Sequence, residues 1–144
     1  MFFNKRPKKK KFVSHGMEIV LTTDFEEMNY EGYTAAYASN DFVVFTLKEP
    51  FELLGLDKNA SIEQYIDIVV KANLDQHKVM KKVDSEKNCY ASAYMNSDDG
   101  QTYIYHIYFF KSKDAFWTVQ FATNSKNTFM FMDIKEWVKT VKFI

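Results

Sequence analysis

Residues 101–123 read QTYIYHIYFFKSKDAFWTVQFAT, two aromatic-rich runs joined by Lys111-Ser112-Lys113-Asp114. Successive side chains of a strand point to opposite faces. The first run therefore carries Tyr103, Tyr105, Ile107 and Phe109 in one row and Ile104, His106, Tyr108 and Phe110 in the other. Neither row alternates with charge, so a strand covered on both faces is expected, in the middle of a sheet between two layers. In the second run Trp117, Val119 and Phe121 share one side.

Working outward, Asn88 to Met95 alternates Cys89, Ala91, Ala93 and Met95 against Tyr90, Ser92 and Tyr94, which predicts another strand, with Asn96 to Gly100 as the turn. Lys78 to Val83 reads as a short edge strand whose lysines discourage further pairing. Before it, Ser61-Ile62-Glu63-Gln64 is a capping box that starts a helix running to about Gln76. Its apolar stripe is Ile62, Tyr65, Ile66, Val69 and Ala72. Thr34 to Ser39 and Phe42 to Lys48 flank Asn40-Asp41 as a hairpin, which Pro50 ends. Phe51 to Leu54 reads as one helical turn. Met17 to Thr22 reads as a strand, and Asp24 to Met28 as a single turn of helix capped by Asp24. A last helix is expected from Ser125 or Asn127, with Met130, Ile134, Trp137, Val138 and Val141 on one face.

Hairpin-linked strands with two separated helices predict an α+β fold. The expected form is a central antiparallel sheet of about six or seven strands with two main helices packed against it.

The composition fits one domain. The chain has 144 residues, 47% of them apolar, with only four Gly and two Pro. Its zero net charge hides an asymmetry. Lys5, Arg6, Lys8, Lys9, Lys10 and Lys11 precede a body from Phe12 to Ile144 with 13 basic and 19 acidic residues, a formal −6. Residues 1–14 are expected to form a basic disordered arm and 15–144 the single folded domain. The acidic body repels nucleic acid and anionic lipid, so any such contact would run through the arm. Nucleic acid is not the expected partner.

Cys89 is the only cysteine and has no metal-ligand neighbours, so a buried inert thiol is expected. Phe12 to Glu18 is too short and polar for the apolar core of a signal peptide, and no window reaches the length of a membrane span. A cytoplasmic protein is the expectation.

Thr34-Ala35-Ala36-Tyr37-Ala38-Ser39-Asn40-Asp41, leading into Val44-Phe45-Thr46-Leu47-Lys48-Glu49, resembles the first hairpin of the PsbP-like superfamily. That group includes the plant photosystem II extrinsic protein and Mog-type Ran-binding proteins. Ala115 to Thr123, followed by a helix carrying Trp137, resembles its closing strand and helix. The likeness covers about Gly16 to Ile144 and fits a bacterial member. It implies an α/β/α-type sandwich used for protein binding rather than catalysis.

Chemical motifs are sparse. His106 has no Asp or Glu adjacent on its own face of the strand, so it reads as a core or groove histidine; an enzyme with a small-molecule pocket beside it is the alternative. Asn96 to Gly100 lacks the spaced ligands of a calcium loop. No phosphate-cradling glycine loop occurs. No enzyme activity, cofactor or metal is expected. Nine tyrosines are more than a small core needs, and tyrosine favours interfaces. The candidate partner-binding residues are Tyr37, Tyr94, Tyr103, Tyr105 and His106, and the expected partner is another protein. Lys5, Arg6, Lys8, Lys9, Lys10 and Lys11 are the candidate contacts to an anionic membrane surface, the alternative to a simple solvated tail.

Overall fold

The computed structural model describes residues 8–72, 79–84, 89–98, 100–124 and 131–144; the side chains of 70–98 and of Phe131 are not described. Lys5 and Arg6, the helix extension to Gln76 and the helix start at Ser125 or Asn127 lie outside the described residues.

The lysine run expected as a tail is instead a strand, Lys9–Ser14 (β1), paired antiparallel with Met17–Thr22 (β2). Alternation is the physical reason. Lys9 and Lys11 take one side and Lys8 and Lys10 the other, so adjacent charges diverge. Phe12 falls on the inner side and is buried, its ring centroid 4.5 Å from that of Tyr37. Burying a phenylalanine contributes roughly 1.5–3 kcal/mol, more than exposed like charges take away. His15 (φ 55) and Gly16 (φ 94) form the two-residue turn, both in the left-handed region that such hairpins require.

The expected helical turn after Asp24 is also a strand, Glu26–Met28 (β3), paired with Ala35–Ala38 (β4). Asp24 accepts a hydrogen bond from the Thr22 hydroxyl rather than capping a helix. β4 and Phe42–Pro50 (β5) form the expected hairpin, closed by Ser39, whose Oγ accepts from the Phe42 amide at 3.2 Å. A 3-10 turn spans Phe51–Leu54 and ends on left-handed Gly55.

Helix α1 is Ile62–Ala72. Its capping box is formed in both directions: Ser61 Oγ accepts from the Gln64 amide at 3.2 Å, and Gln64 Oε1 accepts from the Ser61 amide at 2.8 Å. Ser61→Ala is expected to cost about 1 kcal/mol in denaturant unfolding. A cost near zero would mean that the buried face alone holds the helix start.

The remaining elements are Val79–Asp84 (β6), Cys89–Asp98 (β7), Gln101–Lys111 (β8), Ala115–Asn124 (β9), Phe131–Lys139 (α2) and Lys142–Phe143 (β10). Val141 does not continue α2. The Thr140 hydroxyl donates to the Trp137 carbonyl at 2.6 Å and accepts the Val20 amide at 2.9 Å. That pair of bonds ends the helix and delivers β10 to the edge of β2.

The fold is α+β with antiparallel sheets and two α-helices among the described residues. The strands divide between two sheets rather than gathering into one. One runs β1-β2-β10, and the other β3-β4-β5-β9-β8-β7-β6. The single sheet was expected because residues 9–14 and 142–143 carry no alternating apolar pattern of their own.

The larger sheet has a core on each face. On one side Phe42, Val44, Tyr108, Phe110, Trp117, Val119 and Phe121 pack against the smaller sheet and α2. On the other, Ile107, Phe109 and Phe116 pack against Tyr65 and Ile66 of α1 and against Phe51. Two-sided cover of β8 holds only for Ile107 to Phe110; Thr102 to His106 are half-buried. Length explains the shortfall. The 11 residues of α1 span about 16 Å at roughly 1.5 Å each, while the 11 of β8 span about 36 Å at roughly 3.3 Å each. Among the described residues, α1 covers one end of the sheet only.

Candidate functional site: an aromatic groove on the open half of the sheet

Strand register places the predicted residues on different faces. Tyr105 is opposite Ala122 and Tyr94, and Tyr103 is opposite Asn124. These positions share the α1-side face, beyond the end that α1 covers. Val43 and Phe45 continue it on β5, through the pairing of Val43 with Ala122. Together with Tyr30 and the Ser39-Asn40-Asp41 turn they line a groove of about 480 Å³. Tyr103 Oη donates to Gln101 Oε1 at 2.7 Å, which fixes the ring at the rim. The turn is tied to the sheet by Thr123 Oγ1, which donates to the Asp41 carbonyl at 2.8 Å.

The sequence reading missed two members of this cluster. Tyr30 stands edge-on to Phe45 with centroids 5.0 Å apart, and Tyr33 is tilted over the same ring at 4.7 Å. Both are exposed, at 45% and 39%. Their signal was in the sequence, as tyrosines in a short polar loop, but only the return of β5 brings Phe45 beneath them.

Two predicted members do not belong. Tyr37 is a core residue, 1% exposed and packed on Phe12. Burial, with the Glu27 charge second, pushes its hydroxyl pKa up to about 12. It lies on the row of β4 that faces the smaller sheet, so it cannot present its ring to a partner. His106 pairs with Phe121 and lies on the face opposite Tyr103 and Tyr105. Of the groove candidates, Tyr103 and Tyr105 line the cavity, and Tyr94 is placed opposite Tyr105 in the register of β7 and β8.

Burial holds the His106 imidazole below its ordinary pKa. The unfolded chain therefore takes up a proton that the folded chain resists. The stabilisation is complete above the unfolded value and is lost as pH falls through it. His106→Gln is expected to shrink the drop in melting temperature between about pH 7.5 and about pH 5. Equal drops in the two proteins would show that His106 does not titrate in this range.

The other polar constellations are structural. Tyr65 Oη donates to Glu49 Oε1 and accepts from Thr118, each at 2.7 Å, beneath α1. Burial raises its pKa above the usual tyrosine range, so it stays a donor. Its ring stacks on Phe116 at 4.7 Å. At the far end of the sheet a cavity of about 210 Å³ lies between the His15-Gly16 turn, the Ser112-Lys113-Asp114 turn and Ile144. Lys48 occupies its wall, 3.1 Å from Asp114 and 3.0 Å from the His15 carbonyl. The lysine's hydrogen bond is the main cause holding the Asp114 carboxyl below its usual pKa. This group latches three chain segments together. Among the described residues no three His, Cys, Asp or Glu side chains cluster closely enough to hold a metal ion. Among them also, no helix is long and apolar enough to cross a membrane.

No protein-family model and no curated protein matches the sequence. Solved structures do match in shape. A Bacteroides thetaiotaomicron protein aligns with a TM-score of 0.65 at 17% identity, over 94% of this chain; this chain spans about half of that protein's length, 48%. Cyanobacterial PsbP (CyanoP) of Synechocystis aligns over 100% of this chain and 97% of its own, with a TM-score of 0.53 at 8% identity. A Pseudomonas aeruginosa protein of unknown function, described as a putative regulator, aligns over 92% and 94% of the two chains, with a TM-score of 0.52 at 10% identity. At these identities the likeness speaks for the fold alone, and that fold is shared with cyanobacterial PsbP.

Proposed function

We propose that this chain is a non-enzymatic binding module that receives a protein partner in the aromatic groove. The observation that carries the reading is the exposure of Tyr30 and the half-burial of Phe45, Tyr103 and Tyr105 around one open cavity. A core tyrosine has no need of such a site. Tyrosine rings on a rigid sheet offer large apolar contact area with a polar tip, at little entropic cost on binding. The enzyme reading, with His106 as base, is weaker because strand alternation sets that imidazole on the face away from the groove. A cytoplasmic setting is supported by the single cysteine, which leaves no internal disulfide to require an oxidising compartment.

The test is affinity retention from the organism's own lysate, comparing the full chain with a Tyr103→Ala/Tyr105→Ala variant. Proteins kept by the wild type and lost by the variant support the reading. Identical retention by both removes the groove from recognition.

A further inference from the structure

We propose that the free edge of β1 takes up an acidic, extended segment of a partner protein as an added strand. The residues involved share no lining with the aromatic groove, so the two readings stand or fall separately. In the order β1-β2-β10, β1 has a single strand neighbour among the described residues. The two-residue turn makes Ser14 and Met17 a pair that exchanges both backbone hydrogen bonds, and Phe12 with Ile19 and Lys10 with Leu21 keep that phase. The Thr23 amide, donating to the Lys8 carbonyl at 2.8 Å, confirms it. The amides and carbonyls of Lys9, Lys11 and Val13 therefore point away from β2, along the open side.

Charge selects the occupant. Lys8, Lys9, Lys10 and Lys11 are all exposed. Lys10 lies on the inner side, its Nζ 4.9 Å from the Phe12 ring centroid, and Lys11 on the outer side, 3.4 Å from Glu18. Positive charge thus flanks the edge from both sides. An added strand meets both rows of lysines, with its own acidic side chains alternating above and below. A flat anionic bilayer would meet only the Lys9 and Lys11 row. A second copy of the same edge is repelled by its own lysines, the usual device against edge-to-edge pairing. Where β1 ends, a cleft of about 380 Å³ lies between Val13 and Ser14 on one side and Glu27, Met28 and Ala35 on the other. Val13 and Met28 are exposed there and Glu27 repels acid. The occupant accordingly carries acidic residues against the lysines and an apolar residue at the Val13 end. Main-chain pairing supplies the affinity and alternate side chains the selectivity, as in strand addition generally.

The test titrates the isotope-labelled full chain with a synthetic Glu/Val peptide, a run of consecutive Glu followed by Val, so that acidic side chains fall on both faces and the apolar residues lie at one end. Its controls are a proline-interrupted relative, a relative with Gln in place of Glu, and phosphatidylglycerol vesicles. Binding of the Glu/Val peptide should slow amide exchange at Lys9, Lys11 and Val13 at least about tenfold. Lys9→Gln/Lys11→Gln, with unfolding unchanged, should weaken binding roughly tenfold, and the proline and Gln relatives should bind poorly. Equal binding of the proline relative would overturn the proposal, since charge alone would then suffice. So would vesicle binding without peptide binding, self-association through this edge, or unaltered exchange at the three amides.

Discussion

Trp117→Ala is expected to destabilise the protein by about 3–5 kcal/mol, a large share of the roughly 5–15 kcal/mol available to a domain. Trp117 sits on β9 between the two sheets and is 1% exposed. Its ring packs against Phe143 of β10 with centroids 5.6 Å apart, and Lys48 Nζ lies 5.6 Å from its centroid. Its Nε1 donates to Ser112 Oγ at 3.2 Å, in the turn that also carries Asp114. Removing the indole leaves a cavity between rigid strands and takes one donor from the Ser112 hydroxyl, which keeps its bonds to Asp114 and to the Ala115 backbone. Thermal unfolding should show a midpoint lower by on the order of 10 °C. Trp117→Phe, which keeps most of the volume, should cost about 1–2 kcal/mol. A cost for alanine below about 1 kcal/mol would mean that the two sheets are not packed through this residue.

The second large effect is on binding. Tyr103→Ala/Tyr105→Ala is expected to weaken partner retention by at least about thirtyfold, the scale of losing an aromatic hot spot worth some 2 kcal/mol. Stability should change by less than about 1 kcal/mol, because both rings are half-buried and lie beyond the cover of α1. Phe45→Ala should have an intermediate effect on binding, since Phe45 touches the cavity and props Tyr30 and Tyr33. If the double variant loses stability in step with binding, the tyrosines are packing rather than recognition. Denaturant curves and retention measured on the same preparations separate the two outcomes.

The contrast between these variants follows from strand alternation and from the reach of one helix. Alternation was legible from the residues alone. It put Phe109 and Phe110 on opposite faces, and both are fully buried. The capping box at Ser61 and the hairpin around Asn40-Asp41 were legible for the same reason, because short-range hydrogen bonds fix them.

What escaped the sequence depends on long-range partners. Four lysines in a row suggest repulsion, and nothing local reveals that Phe12 finds Tyr37 and turns the run into a strand. Glu26 to Met28 is extended because β4 pairs with it, despite a composition suited to helix. Tyr37 and Tyr103 have the same chemistry and comparable strand settings. Only the second sheet, which covers one and not the other, distinguishes core from groove. Tyr30 and Tyr33 enter the site through Phe45, a contact made when the chain returns from the hairpin.

Site-specific photo-crosslinking tests the central claim most directly. A benzophenone amino acid replaces Tyr105 in the full chain, and in a control it replaces Met132, which is 76% exposed on α2. Irradiation in the native cell should give a discrete adduct from position 105 and none from 132. Equal labelling at both positions, or no adduct at 105 from a folded protein, would contradict a partner seated in the groove.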